Sequence, residues 1–240
     1  MLINGAGGIV NGKPTVSAAY MVNGRARLLE DPVLFSSLLS CYHLEEAGTA
    51  DRVDAVNGGG FNLACTTTGR DTGKVGPYCT KFNNVTGGSM SVNKDDFNFQ
   101  ATPFSVCMWV KRDSGGLAPN VSIYYDGGGA VAWRLIMNST DITAELNDAG
   151  FSASDTVTIA DATWAFLCLR FDGGTDMTLN VDGRTKVTAA ASTCGDSSGG
   201  TLYVAGNANT YVDEIVIAPY AFTDGQVEWE YNAGSGRLNQ

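Results

Sequence analysis

The sequence is poor in basic residues, proline and histidine. It has 15 Lys and Arg residues against 25 Asp and Glu residues, so the formal net charge is −10, and the basic residues are scattered. Phosphate groups would repel such a chain, which argues against nucleic acid or an anionic membrane as its partner. No segment approaches the run of about 18 apolar residues that a membrane span needs, so we expect no such span.

The first residues also lack a targeting signal. "MLINGAGGIVNGKP" has no basic start followed by an unbroken apolar stretch, so the sequence predicts synthesis in the cytoplasm without a signal peptide. Residues 1–32 are rich in glycine and in short strand-like patches divided by Asn-Gly. We interpret them as an N-terminal arm, used for assembly or packing, ahead of a main domain over 33–240.

Cysteine and histidine restrict the available chemistry. Six cysteines form no C-x-x-C pair and have no histidine at zinc-ligand spacing, so we expect no zinc. Cys107 and Cys168 lie in apolar runs and are predicted to be buried free thiols, whereas Cys65 and Cys79 flank a loop and are the best candidates for a disulfide. A catalytic Cys-His or Ser-His pair would need His43, the single histidine, which we interpret instead as a strand residue.

What the sequence does have is strands and turns. Thirty glycines and short apolar runs such as "FSVCMWVKRD" and "AVAWRLIMN", recurring every ten to fifteen residues, indicate an all-β sandwich or barrel. The clearest helical segment is "TDGQVEWEYNAG", in which Thr223 and Gln226 have the spacing of a capping box and Gly234 suits the helix end.

Four segments in order resemble the laminin-G-like branch of the concanavalin A-like lectin/glucanase superfamily. They are "SCYHLEEAGTADRVDAVNGGGFNL" (40–63), "PFSVCMWVKRD" (103–113), "WAFLCLRFDGGTDMTLNVDGR" (164–184) and "YVDEIVIAPYAFTDGQVEWEYNAG" (211–234). The resemblance implies a jelly-roll β-sandwich of two antiparallel sheets with a short C-terminal helix. The arm has no counterpart in the family's minimal domain.

Two neighbouring acids lie in the last predicted strand. In a regular strand Asp213 and Glu214 point to opposite faces, so we predict one structural acid on the apolar side, Asp213, and one surface acid, Glu214, rather than a catalytic pair. Asp213 then needs hydrogen bonds, a cation or a metal as its partner. The family resemblance implies a structural calcium held by Asp213 and backbone carbonyls near the start of the domain, with Glu46 or Asp54 as further oxygen ligands.

The sequence argues against glycoside hydrolysis but contains aromatic residues that could bind a sugar. Glycosidases of this superfamily carry alternating acids on one strand, and no predicted strand here has that pattern, so we expect no enzyme. Tyr124, Tyr125 and Trp133 are aromatic residues that can stack on sugar rings, although core packing explains them as well.

Two functions follow as hypotheses. The first is a non-enzymatic structural protein of a virion, for instance a phage decoration, cement or fibre protein, present in several copies and bound to other assembly proteins through its arm. This step is an analogy from the fold. The second is a lectin-like carbohydrate-binding module, with or without calcium.

Overall fold

Two hairpins precede the main domain. In the computed structural model, β1 (Gly8–Val10) pairs with β2 (Lys13–Thr15), and β3 (Ala19–Val22) pairs with β4 (Arg25–Leu28). Within the described part of the chain, these strands pair with one another and not with either larger sheet. Beyond the backbone of these strands, the structure describes residues 37–236 except 67, 83–87, 114–120, 128–129, 139–140, 148–149, 156–158, 197 and 208. The predicted boundary near residue 32 lies outside the described residues.

The first large sheet is antiparallel and has eight strands; we call it the covered sheet. Its strands are β5 (Ser40–Tyr42), β7 (Thr68–Thr72), β8 (Tyr78–Phe82), β10 (Phe104–Arg112), β15 (Ala165–Phe171), β16 (Asp176–Val181), β17 (Arg184–Ala190) and β19 (Thr210–Ala218). Their order is β17-β16-β15-β10-β19-β8-β7, and β5 pairs with the second half of β19. The central strands β10 and β19 are buried over most of their length, as expected for strands covered on both faces.

The second large sheet is antiparallel and has seven strands; we call it the open sheet. Its strands are β6 (Ala64–Thr66), β9 (Gly88–Asn93), β11 (Val121–Asp126), β12 (Val131–Met137), β13 (Ile142–Leu146), β14 (Phe151–Asp155) and β18 (Thr201–Gly206), in the order β14-β13-β12-β11-β18-β9-β6. Buried and partly exposed residues alternate along β11 and β18, which is the pattern of a sheet with one face on the core and one towards solvent.

The main core lies between the two sheets. It contains large buried side chains from both, including Phe104 and Phe171 of the covered sheet and Tyr125 and Trp133 of the open sheet. Two antiparallel sheets packed face to face make the molecule an all-β sandwich with one short C-terminal helix, which confirms the fold predicted from the sequence.

A second apolar cluster covers the outer face of the covered sheet. It joins Trp109 and Phe166 of the sheet to Phe222 and Val227, and Tyr231 packs against it. Val227 and Tyr231 belong to helix α1 (Asp224–Tyr231), which therefore lies over this face. The centre of this outer face is thus buried beneath a helix, whereas the outer face of the open sheet keeps partly exposed side chains.

Helix α1 begins as the sequence predicts. The side chain of Thr223 accepts a hydrogen bond from the backbone of Gln226, and the side chain of Gln226 accepts one from the backbone of Thr223. The helix ends earlier than predicted, at a left-handed Asn232 (φ 48°) rather than at Gly234. Among the described residues, no helix is long and apolar enough to cross a membrane.

The cysteine pairing differs from the prediction. Cys107 of β10 and Cys168 of β15 lie directly opposite each other and form a disulfide, whereas Cys65 and Cys79 are free. Cys65 belongs to β6 of the open sheet and Cys79 to β8 of the covered sheet, so the two lie in different layers. The expectation of free thiols at 107 and 168 was wrong because it considered each apolar strand alone and not the register between them.

Candidate functional site

An irregularity in β19 places the two neighbouring acids. The pairing with β10 changes from Cys107–Val216 to Trp109–Asp213, so β19 has one more residue than its partner across this step. Glu214 lies in this bulge with a positive φ of 43°. Beyond the bulge the alternation of faces is shifted by one residue, because Ile215 rather than Glu214 follows Val212 into the main core.

Asp213 is a fully buried acid with backbone partners. Its Oδ2 atom accepts hydrogen bonds from the amides of Lys74 (2.6 Å) and Val75 (2.8 Å), and its Oδ1 atom accepts one from the amide of Glu214 (3.0 Å). Burial raises the pKa of Asp213 to about 8, while the amides of Val75, Lys74 and Glu214 act to lower it. The side chain ties the loop at 74–75 to the centre of the covered sheet.

Glu214 is buried as well, which corrects its prediction as a surface acid. The bulge turns its side chain towards His43, whose Nδ1 atom lies 2.8 Å from Oε1 of Glu214. Cys41 joins them: the ligand atoms of Cys41, His43 and Glu214 all lie within 4.8 Å of one another. The hydrogen bond to Glu214 raises the pKa of His43, and burial raises the pKa of Glu214.

The structure does not bring together the predicted calcium ligands Asp213, Glu46 and Asp54. Both oxygens of Asp54 accept hydrogen bonds, from the backbone of Cys41, Val56 and Asn57 and from the Asn57 side chain. Glu46 accepts one from the backbone of Val53. Among the described residues, the one group of three potential ligands with this spacing is Cys41, His43 and Glu214. A thiol and an imidazole do not suit calcium, which prefers oxygen ligands, so this group of three does not fit that ion.

Two of the three predicted sugar-stacking residues are core residues. Tyr125 and Trp133 have no exposed surface. The Trp133 indole donates a hydrogen bond to the backbone oxygen of Phe97 (2.8 Å), and the Tyr125 hydroxyl donates one to Asp95 (3.1 Å). Neither ring can stack on a ligand without opening the sandwich. For Tyr125 and Trp133, the alternative of core packing that the sequence left open is therefore the one observed.

Tyr124 points the other way, onto the outer face of the open sheet. Its register partners are Tyr203 on β18 and Arg134 on β12. The same row continues from Arg134 to Glu145 on β13 and from Tyr203 to Ser91 on β9. Five adjacent strands therefore contribute one side chain each to a continuous line, which we call the Tyr-Arg row (Glu145, Arg134, Tyr124, Tyr203 and Ser91).

The Tyr-Arg row combines an aromatic pair with a compensated charge. The rings of Tyr124 and Tyr203 are stacked, with centroids 5.1 Å apart and an interplanar angle of 20°. Arg134 donates from Nε to Oε2 of Glu145 at 2.7 Å, and the second guanidinium contact of this ion pair is with the same oxygen. All five side chains are partly exposed. Partial burial raises the pKa of Tyr124, so its hydroxyl keeps its proton at neutral pH and can donate a hydrogen bond.

The neighbouring row on this face is mostly polar. Ser122 precedes Tyr124 by two positions on β11, and its register partners are Ile136 and Ala205. Thr143, the partner of Ile136, lies within hydrogen-bond distance of Ser154. The outer face of the open sheet thus offers hydroxyl groups beside two aromatic rings, a combination that can both stack on and hydrogen-bond a ligand rich in hydroxyls.

A family model matches residues 86–228, more than half of the chain, and its description is the concanavalin A-like lectin/glucanases superfamily, Laminin_G_3. The chain belongs to this superfamily. The resemblance seen in the sequence is therefore confirmed, and the matched region contains every residue of the Tyr-Arg row. No curated protein has a sequence that matches this concanavalin A-like chain.

Solved structures with the same fold include sugar-bound proteins. The Trypanosoma rangeli sialidase in complex with sialic acid superposes with a TM-score of 0.65 and 12% identity, over 90% of this chain and 35% of the sialidase chain. The botulinum neurotoxin serotype D ligand-binding domain in complex with N-acetylneuraminic acid superposes with a TM-score of 0.62 and 13% identity, over 83% of this chain and 51% of that domain. The binding domain of Paraclostridial Mosquitocidal Protein 1 superposes with a TM-score of 0.63 and 12% identity, over 83% of this chain and 53% of that domain. The chain thus spans about a third to a half of these proteins, and at this identity the likeness concerns the fold.

Proposed function

We propose that this domain is a non-enzymatic carbohydrate-binding module, and that glycans bind on the outer face of the open sheet at the Tyr-Arg row. The observation that carries the proposal is the stacked, partly exposed pair of Tyr124 and Tyr203 at the centre of a hydroxyl-rich sheet face. Aromatic rings stack on the apolar faces of sugar rings, and flanking hydroxyl groups hydrogen-bond to sugar hydroxyls.

The comparisons support a lectin-like function more than a role in a virion. The superfamily name includes lectins, and two of the solved structures are complexes with sialic acid or N-acetylneuraminic acid. The assembly hypothesis rested on the N-terminal arm and on an analogy from the fold. It is compatible with glycan binding, since the arm and the Tyr-Arg row lie in different segments of the chain.

The face favours neutral sugars over acidic ones. Arg134 is the one basic residue of the Tyr-Arg row, and its charge is already balanced by Glu145. The chain as a whole carries a net charge of −10, which opposes the approach of an anionic glycan. We therefore expect this domain to differ in ligand from its sialic-acid-binding structural neighbours.

A glycan array probed with the full chain tests this function. Binding to neutral glycans, lost in Tyr203→Ala and retained in Tyr78→Ala, is the expected result. Tyr78 is a matched control because it is an exposed tyrosine on the covered sheet, away from the proposed face. An array without binding to any glycan would contradict the proposal, and so would equal loss in both variants.

A further inference from the structure

Cys41, His43 and Glu214 form a cluster on the covered sheet, away from the proposed glycan-binding face. Cys41 belongs to β5, and His43 follows two positions later, so both side chains point to the same side of this edge strand, while Tyr42 between them enters the main core. Glu214 reaches the same place from the bulge of β19, the strand with which β5 pairs. Three different ligand types thus converge within 4.8 Å.

We propose that Cys41, His43 and Glu214 form a zinc site. Zinc accepts thiolate, imidazole and carboxylate ligands, and three protein ligands plus one further group complete its tetrahedral coordination. A thiolate and a carboxylate together carry two negative charges, which a divalent ion balances. Calcium and magnesium prefer sites made of oxygen alone, so this mixed set selects against both of them.

A buried oxygen without a partner supports the proposal independently. Glu214 is only 3% exposed, and its Oε2 atom is buried and has no hydrogen-bond partner among the described residues. Such an oxygen is costly, because burial removes its hydration and nothing replaces the lost hydrogen bonds. Its other oxygen already contacts His43. A metal ion bound between the three side chains would compensate the carboxylate.

The same geometry disfavours a catalytic triad. The Cys41 thiol is fully buried, whereas a nucleophilic cysteine must reach its substrate. Burial, together with the charges of Glu214, Glu230 and Asp54, raises the pKa of Cys41, so without a metal the side chain is a neutral thiol. A bound Zn²⁺ replaces this proton, which leaves to solvent, and the thiolate becomes a ligand.

The C-terminal helix packs beside Cys41, because Val227 of α1 belongs to the same apolar cluster as Cys41. The fourth ligand position is assigned to water. His43 is the most exposed of the three ligands, with 24% of its side chain accessible, and provides the route by which an ion enters. Bound zinc would fix β5 to the bulge of β19 and is independent of glycan binding at the open sheet.

Cobalt substitution is the direct test. The tag-free full chain is freed of metal and titrated with Co²⁺, and the expected result is one equivalent bound, with the visible bands of a tetrahedral ion and a sulfur-to-cobalt charge-transfer band. Zn²⁺ should displace the cobalt and raise the melting temperature, while Ca²⁺ should do neither. A folded chain that shows no sulfur-to-cobalt band would overturn the proposal.

Single variants assign the ligands. Cys41→Ser should remove the charge-transfer band, and His43→Gln and Glu214→Gln should each weaken Zn²⁺ binding by about tenfold or more. Cys65→Ser is the matched control, since it removes another free thiol and should change neither the band nor the affinity. Because the His43 side chain is partly exposed, its variant is expected to fold even if Cys41→Ser does not. Unchanged affinity in folded His43→Gln, or a charge-transfer band in Cys41→Ser, would refute the site.

Discussion

Arg134 and Glu145 form an ion pair across β12 and β13, directly beside the stacked tyrosines, with Nε of Arg134 2.7 Å from Oε2 of Glu145. The carboxylate of Glu145 therefore neutralises the charge of Arg134, which is the only basic side chain of the Tyr-Arg row. The pair therefore determines which glycans the face accepts, since a free arginine binds carboxylates well and a paired one does not.

Glu145→Gln should shift specificity towards acidic sugars. The change frees the Arg134 guanidinium while keeping the size of its neighbour, and partly exposed ion pairs are worth up to about 1 kcal/mol, so binding to sialylated glycans should increase up to about fivefold. Calorimetric titration with matched neutral and sialylated oligosaccharides measures this. Arg134→Gln should show no such gain, and an equal gain in both variants would contradict the explanation.

Asp213 should make stability depend on pH. Its pKa is about 8 in the folded chain against an ordinary value of 3.8, because burial disfavours the charged form. The folded chain then holds an additional proton between those values. The contribution of Asp213 to stability is complete below about pH 4 and declines as the pH rises towards about 8.

Asp213→Asn should remove this decline, because asparagine imitates the protonated acid. Urea unfolding of both proteins at several pH values gives the difference in free energy of unfolding. That difference should shift in favour of the variant as the pH rises. Glu214 and His43 titrate in both proteins, so they largely cancel in the difference. Parallel profiles for the two proteins would show that Asp213 keeps an ordinary pKa in the folded chain.

The disulfide between Cys107 and Cys168 predicts a thiol count. Six cysteines less the two in the disulfide leave four free thiols in the chain. Alkylation of the denatured, unreduced protein followed by mass spectrometry should find four modified cysteines, with Cys107 and Cys168 protected. Six modified residues, or protection of Cys65 and Cys79, would be incompatible with this pairing.

Thr223→Ala should destabilise the attachment of α1. The substitution leaves the backbone amide of Gln226 without its side-chain acceptor, and the loss of such a cap costs about 0.5–2 kcal/mol. Thr223→Ser keeps the hydroxyl and is the control. Chemical unfolding monitored by tryptophan fluorescence reports the change, and equal stability of Thr223→Ala and the unaltered chain would mean that the cap has no effect on stability.

Local patterns in the sequence predicted much of the fold. Short apolar runs predicted strands such as β10 and β12, and the spacing of Thr223 and Gln226 predicted the helix start. The polar strand β7 (Thr68–Thr72) was interpreted as a loop, because its threonines, glycine and charged residues lack an apolar face. Its formation depends on pairing with β8, which is tertiary context.

The site was predicted less well, for a related reason. Both sides of β11 carry a tyrosine, and only the register tells that Tyr124 faces out and Tyr125 faces in. Likewise, one additional residue in β19 moved Glu214 from the predicted surface to the interior beside His43. Spacing along the chain did not predict the cluster of Cys41, His43 and Glu214, because its third member comes from a strand more than 170 residues away. Cys41 and His43, two positions apart on one strand, were the available signal.

The most direct test of glycan binding on the open sheet is the affinity of Tyr124→Ala and Tyr203→Ala for a glycan found on the array. Loss of stacking on the sugar costs about 1 kcal/mol or more, so each folded variant should bind at least about fivefold more weakly, whereas Tyr78→Ala should bind fully. Loss of the Tyr124–Tyr203 pair should also lower the melting temperature of both variants, so binding is measured well below it. Affinities equal to that of the unaltered chain in both folded variants would show that glycans, if bound, are bound elsewhere.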